Sequence, residues 1–223
     1  MIKALLIDMD GVLLDSSEIH TRAYEEALGL FGINIHFSYA KAAGRATNEV
    51  MSEIVDSQKF DKHLVQELTF TKQRLSKQYF SELINVPLFP EVKESLIELA
   101  KHYSLALCTS ASKKTVEFFF SSGVDRQLFH SVISSEDITS SKPNPEIYLQ
   151  AIAKLGLGLG EVLVIEDSYA GVRSGLSSGA RVVWLCDQID GSMVDLKNHK
   201  NLWHFRSFRD FAKDILCNHD RYF

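Results

Sequence analysis

The 223-residue sequence predicts an α/β fold: a parallel sheet covered by helices on both faces, interrupted after its first strand by an all-helical block. Three observations predict it. The chain opens on a short apolar run, Ala4-Leu5-Leu6-Ile7, that stops abruptly at Asp8. From Ser16 to Asn85 the apolar residues follow helical spacing and no convincing strand occurs. From Glu91 onward helical and strand patterns alternate regularly.

The opening run is short and branched enough for a buried parallel strand, and Gly11 marks the turn just beyond it. Ser16-Ser17-Glu18 reads as a helix start, with Ile19, Ala23, Ala27 and Phe31 on one face until Gly32. Thr47-Asn48-Glu49 begins a second helix through Met51, Ile54 and Val55. Asp61 begins a long third, with Leu64, Leu68, Leu75, Tyr79 and Leu83 on one side. Val86-Pro87-Leu88-Phe89-Pro90 is the return linker, its prolines breaking helix continuity. The predicted organisation is a core from 1–15 and 86–223 with a helical insert at 16–85. In the core, helices are predicted over 92–102, 113–121, 144–155 and 170–177, and strands over 105–108, 131–133, 162–165 and 182–185. Gly179 sits in the turn before the last strand. The tail, from Asp187 to Phe223, reads as loop followed by a closing helix around Phe208, Phe211 and Ile215.

Composition narrows the function classes. An apolar content of 45% suits a soluble globular protein, and a net charge of −5 with no basic block argues against nucleic acid as the main partner. A small substrate fits better. No stretch is apolar and long enough to span a bilayer and none has signal-peptide character, so the expected location is the cytoplasm. Cys108, Cys186 and Cys217 are odd in number and far apart, which argues against a disulfide framework or structural zinc; Cys108 reads as core.

The chemistry-bearing residues stand at predicted strand ends. Asp8 and Asp10 flank Met9 after the first strand, Thr109-Ser110 follows the second, and Glu166-Asp167-Ser168 follows Val-Leu-Val-Ile. Lys142 leads Lys-Pro-Asn-Pro into a helix. In a parallel sheet these ends share one edge, where open α/β folds bind ligands. Carboxylates gathered there cannot all stay ionised in a partly buried cleft without a cation, and Mg²⁺ is the natural one where phosphate is also present. Carboxylates, Mg²⁺, Lys142 and the Thr109 hydroxyl together describe a phosphoryl-transfer site, in which positioning and charge neutralisation do most of the catalysis. Taken singly, Asp8 and Asp10 read equally as turn formers, whereas Thr109 alone reads better as a helix cap and Lys142 alone as a surface lysine. The adjacent carboxylates Glu166 and Asp167 are poor strand formers and repel one another. The joint occurrence in this order carries the reading.

These motifs resemble the haloacid dehalogenase superfamily, in the branch of β-phosphoglucomutase and small phosphatases with a helical cap. Asp8-Met9-Asp10-Gly11-Val12, Thr109-Ser110, Lys142-Pro143 and Glu166-Asp167-Ser168 with Ala170-Gly171 match its four motifs across nearly the whole chain. The resemblance implies a Rossmann-like core with 16–85 as an all-helical cap domain. It implies Asp8 as the nucleophile that becomes an aspartyl-phosphate and Asp10 as general acid/base. Asp8, the Asp10 carbonyl and Asp167 would hold Mg²⁺, with Glu166 helping directly or through water. Thr109, Ser110 and Lys142 would bind phosphate oxygens, Lys142 also countering the charge of Asp8. Ser110-Ala111-Ser112-Lys113 resembles the mutase wording, whereas Thr109 as first residue sets Val116 at the family's usual distance, which makes Thr109 the preferred hydroxyl donor. Asp8 is expected to stay ionised while Asp10 exchanges a proton, so their environments should push their pKa values apart.

Asp10 disfavours carbon–halogen cleavage, because true dehalogenases lack an acid/base aspartate at that place. A response-regulator receiver is disfavoured by the helical insert. Ser16 and 85–87 lie where hinges should be, and His20 and Lys72 could reach the cleft from the cap, although His20 reads equally as a solvent-facing residue. The mutases carry an arginine near the position of Thr47 to grip a second phosphate, and in Gly44-Arg45-Ala46-Thr47 only Arg45 is nearby. The expectation is a Mg²⁺-dependent phosphatase for a small phosphorylated metabolite, a sugar phosphate among the candidates. A β-phosphoglucomutase-type phosphotransferase and a non-catalytic regulatory or binding protein are the alternatives. A monomer or weak homodimer is expected.

Overall fold

The opening apolar run forms strand β1 (Ala4–Ile7), with every residue buried. Its alternation splits the core: Leu5 and Ile7 join one apolar cluster, Ala4 and Leu6 the other. Each such leucine or isoleucine removed from water contributes about 2 kcal/mol. In the computed structural model, residues 1–186, 196 and 199–222 are described.

Beyond the insert the chain alternates α4 (Val92–Ala100), β2 (Ser104–Cys108), α5 (Lys113–Phe120), β3 (Phe129–Ile133), α6 (Glu146–Leu155), β4 (Val162–Glu166), α7 (Tyr169–Ser177), β5 (Arg181–Leu185) and β6 (Leu202–Phe205), then closes with α8 (Phe208–Cys217). The six strands lie in the order β3-β2-β1-β4-β5-β6, and each neighbouring pair is parallel. The strand order reverses at β1, flanked by β2 and β4, and a doubly wound sheet opens its ligand crevice at such a reversal. Residues of α4, α5 and α8 pack on one face of the sheet; α6 and α7 pack on the other.

Two sequence expectations need correction. The tail, which reads in sequence as loop up to its closing helix, adds β6 at 202–205 to the edge of β5, from Val182↔Leu202 to Leu185↔Phe205. Leu-Trp-His-Phe shows no apolar alternation because all four residues are only half-buried, and pairing to β5 is what orders them. The remainder of that expected loop, 187–195 with 197 and 198, falls outside the described residues, as does Phe223. The third helix begins at Leu64 rather than Asp61, because the Asp61 carboxylate accepts the His63 N–H at 2.9 Å and holds 61–63 in a turn.

The insert contains α1 (Ser17–Leu30), α2 (Thr47–Ser57) and α3 (Leu64–Glu82), around its own cluster of Ala23, Tyr24, Ala27, Met51, Val55, Leu68 and Leu75. Its two chain crossings pair with each other, Asp15 N–H to the Pro87 carbonyl at 2.7 Å and Phe89 N–H to the Leu13 carbonyl at 3.1 Å. At its other end the insert meets the core. Ser110 Oγ donates to the Gly44 carbonyl at 3.1 Å and Ser141 Oγ to Glu49 at 2.6 Å. Among the described residues no helix is long and apolar enough to cross a membrane.

Candidate active site

Asp8 follows β1, Thr109 follows β2, and Glu166 ends β4, so parallel register brings them to the same edge of the sheet. Lys142 reaches this edge from the start of the segment leading into α6; the peptide bond that follows it, to Pro143, is cis. It is fully buried. Its Nζ donates to Asp8 Oδ1 at 2.5 Å, to Glu166 Oε1 at 2.6 Å and to the Cys108 carbonyl at 3.3 Å. It is therefore no surface lysine. Thr109 is no helix cap either: Ser112 caps α5 by accepting the Thr115 N–H, while Thr109 Oγ1 accepts the Ala111 N–H at 3.0 Å.

The Glu166 carboxylate is held on all sides. Oε1 accepts from Lys142 and from the Tyr148 hydroxyl at 2.6 Å, and Oε2 accepts from Ser168 Oγ at 3.2 Å. Gly171 allows this: a Cβ there would overlap the Glu166 carboxylate. Gly11, at φ +83°, leaves room for the Asp167 carboxylate in the same way. Among the described residues Asp8, Glu166 and Asp167 each offer an oxygen within 4.8 Å of the others. Burial raises the carboxyl of Asp167 well above its ordinary pKa, and the charges of Glu166 and Asp8 raise it further. One lysine facing three carboxylates, those of Asp8 and Glu166 buried and that of Asp167 partly so, leaves an excess of negative charge, and an all-oxygen donor set of this kind fits a hard divalent cation. The Asp10 carboxylate stands outside that group.

Asp10 faces the insert. Ser16 occupies the cap position of α1, yet its hydroxyl makes no helix-capping bond and donates instead to Asp10 Oδ1 at 2.5 Å. His20 Nε2 lies 3.4 Å from the same oxygen, and Lys72 Nζ lies 3.2 Å from His20 Nδ1. A protonated Lys72 donates to Nδ1, which leaves the proton of a neutral His20 on Nε2, pointed at Asp10. Burial and then the Lys72 charge hold the pKa of His20 down, and burial lowers that of Lys72 to about 8. His20 is also stacked on Tyr39 at 5.2 Å and meets the edge of Phe80 at 5.6 Å, so it is not a solvent-facing residue.

The protein's own groups push the two aspartates apart and, before any cation is counted, in the order opposite to the sequence expectation. Burial raises the carboxyl of Asp8 well above its ordinary pKa, with Lys142 only partly offsetting it. For Asp10 burial also acts upward, but the groups around it, His20 first as a hydrogen-bond donor, then the Ser16 hydroxyl and the Lys72 charge, outweigh it and lower the pKa. The cause is the neighbourhood: Asp8 sits among carboxylates, and Asp10 among donors.

A cavity of about 300 Å³ lies between sheet edge and insert, lined by Asp8, Asp10, Thr109 and Ser110 from the core and His20, Tyr39, Arg45, Thr47, Lys72 and Ser76 from the insert. Lys142, Glu166 and Asp167 stand behind this lining. Arg45 reaches the wall but is committed to Glu53 in a two-pronged ion pair, one contact at 2.9 Å. Beside it, Thr47 and Tyr24 also line the cavity.

A model of the haloacid dehalogenase-like hydrolase family matches residues 5–185. The chain belongs to this family of enzymes. This hydrolase is 27% identical to Protein CbbY of Rhodobacter capsulatus, over 82% of its own chain and 84% of that protein. It is 28% identical to the phosphorylated carbohydrates phosphatase of Thermotoga maritima, with the same coverage of 82% and 84%. Among solved structures, β-phosphoglucomutase from Clostridium difficile shares the fold with a TM-score of 0.82 at 20% identity, over 100% of this chain and 99% of that one.

Several residues that the fold of the hydrolase brings to the site carry no functional signal in the sequence. Ser16 read only as a helix start and hinge, although it lies six residues after Asp10. Tyr148 was hidden in the apolar face of α6, and Trp184, whose Nε1–H donates to the Asp167 carbonyl at 2.8 Å, in an apolar strand. Tyr39 and Ser76 carry no sequence signal, because only the packing of the insert turns them to the cavity.

Proposed function

We propose that the protein is a Mg²⁺-dependent phosphatase that releases inorganic phosphate from a small phosphorylated metabolite through an aspartyl-phosphate on Asp8. The observation that carries this reading is that Asp8, Asp10 and Thr109 line one cavity while Lys142 backs Asp8 at 2.5 Å. Family membership, and relatives named as phosphatases, support it.

In this mechanism an Asp8 oxygen attacks phosphorus, and the bond from phosphorus to the alcohol oxygen breaks as Asp10 gives that oxygen a proton. Water then attacks the phosphoryl group, Asp10 takes its proton, and the bond to Asp8 breaks to release phosphate. Ser16 and His20 both engage Oδ1 of Asp10, which leaves Oδ2 to exchange the proton. The Ser110 hydroxyl proton is committed to the Gly44 carbonyl, whereas Thr109 Oγ1 accepts from Ala111 and keeps its proton for a phosphate oxygen. Asp8, Asp167 and the Asp10 carbonyl would hold Mg²⁺, with Glu166 steadied beside them; the bound ion would neutralise the carboxylates and polarise the phosphoryl group. The helical insert acts as a lid that excludes bulk water and holds the alcohol part of the substrate.

Phosphatase is favoured over mutase because Arg45 is tied to Glu53 and Thr47 offers no charge to a second phosphate. The test is phosphate release from a chromogenic phosphate ester. Activity is expected to require Mg²⁺ and to fall at least about a thousandfold in Asp8→Asn. Robust turnover by Asp8→Asn, or after chelation of metal, would sink the mechanism. Conversion of a bisphosphate-primed hexose 1-phosphate to its 6-phosphate isomer, without free phosphate, would establish a mutase instead.

A further inference from the structure

We infer that Ser76 is a specificity residue whose hydroxyl pairs with a hydroxyl on the alcohol part of the substrate, selecting phosphate esters of polyols or sugars. This rests on the phosphatase reading above and deepens it.

Helix α3 presents Lys72, Gln73, Ser76, Lys77 and Phe80 to the cavity, and spacing of four residues stacks Lys72, Ser76 and Phe80 on one face. Both ends of that stack are fixed against His20. Lys72 Nζ lies 3.2 Å from its ring nitrogen, and the Phe80 ring meets it edge-on at 5.6 Å. Ser76, one turn from each, therefore stands on the wall facing His20 and Asp10, the side on which the alcohol leaves.

Ser76 is 7% exposed and lines the cavity; its Oγ is itself shielded and has no hydrogen-bond partner among the described residues, and a turn about the Cα–Cβ bond to another staggered position is the step that would offer it to a ligand. Helical hydroxyls usually return to a carbonyl one turn back, as Thr21, Ser57 and Ser81 do here. A buried hydroxyl left unpaired is unfavourable unless a ligand supplies the partner. Thr69 Oγ1 on the same helix is also unpaired, but Thr69 does not line the cavity. A serine hydroxyl both donates and accepts, which matches a neutral hydroxyl, and the rings of Tyr39 and Phe80 beside His20 offer apolar surface to a carbon skeleton.

The test measures kcat/KM for phosphate release with glycerol phosphates, pentose 5-phosphates, hexose 1- and 6-phosphates and their matched deoxy analogues. For the best substrate, the wild-type enzyme is expected to reject one deoxy analogue by at least about tenfold. Ser76→Ala should collapse that ratio toward one, Ser76→Thr should restore most of it, and Thr69→Val should leave it at the wild-type value. A ratio unchanged in Ser76→Ala, with turnover intact, overturns the role of Ser76 and leaves the phosphatase reading standing. Absence of phosphate release by the wild-type enzyme from every ester in the panel, with Mg²⁺ present, overturns both.

Discussion

Lys142 holds two carboxylates together. Burial acts to lower its pKa, but the charges and hydrogen bonds of Asp8 and Glu166 outweigh this and keep it raised. Replacing it by methionine of similar length would leave Asp8 and Glu166 buried without their cation. Lys142→Met is therefore expected to lower unfolding free energy by about 3–5 kcal/mol, measured by chemical denaturation. The double variant Lys142→Met/Asp8→Asn should regain part of that loss, because one of the stranded charges is gone. Equal stability of the two variants would place the loss in packing. At this scale the sequence shows which residue types meet, and not which atoms they use: nothing in Asp8-Met9-Asp10 tells that Ser16 and His20 crowd one oxygen of Asp10 while Lys142 takes one oxygen of Asp8.

At the scale of elements, the 3-10 turn Ser135–Asp137 after β3 is closed by Asp137, which accepts the Ser134 hydroxyl at 2.7 Å and the Ser134 N–H at 3.0 Å. These bonds, and then Lys113, lower the Asp137 pKa from 3.8 to about 2. A depressed folded-state pKa gives stability that is complete above the unfolded value and is lost as pH falls through the folded one. The full shift corresponds to about 2 kcal/mol, and solvent screening at this partly exposed turn reduces it to about 1 kcal/mol. Asp137→Asn is expected to be about 1 kcal/mol less stable than wild type at pH 7, with the gap closing as pH drops from 4 toward 2. Urea unfolding across that range measures it, and a gap that stays constant removes Asp137 as the source. The strands β1 and β4 were legible in sequence as short continuous apolar runs, buried on both faces, and the helices α1 and α6 by helical spacing, because their apolar residues face one core. β6 was not, because an edge strand of half-buried Leu-Trp-His-Phe owes its order to the hydrogen bonds of β5.

At the scale of the molecule, insert and core meet through a loop whose Gly44, at φ +75°, lies against Ser168; a Cβ there would overlap the Ser168 hydroxyl. Gly44→Ala is expected to keep the insert from seating against the core and to lower kcat/KM at least about tenfold. The melting midpoint should fall by no more than about 4 °C, since each cluster keeps its own core. Loss of activity matched by wholesale loss of stability would mean that Gly44 serves folding alone.

The sequence by itself determined the parallel core, the placement of a helical block directly after the first strand, and the identity of the strand-end residues. Periodicity of two and of 3.6 is a local property, and parallel strands bring their ends to one edge whatever the side-chain detail. Only the tertiary structure decided the partners of Asp8 and Asp10, the diversion of Arg45 to Glu53, and the turning of Ser76 and Tyr39 to the cavity. Those depend on how the insert packs over the sheet edge. Contacts between segments far apart in the chain leave no periodic trace in either segment.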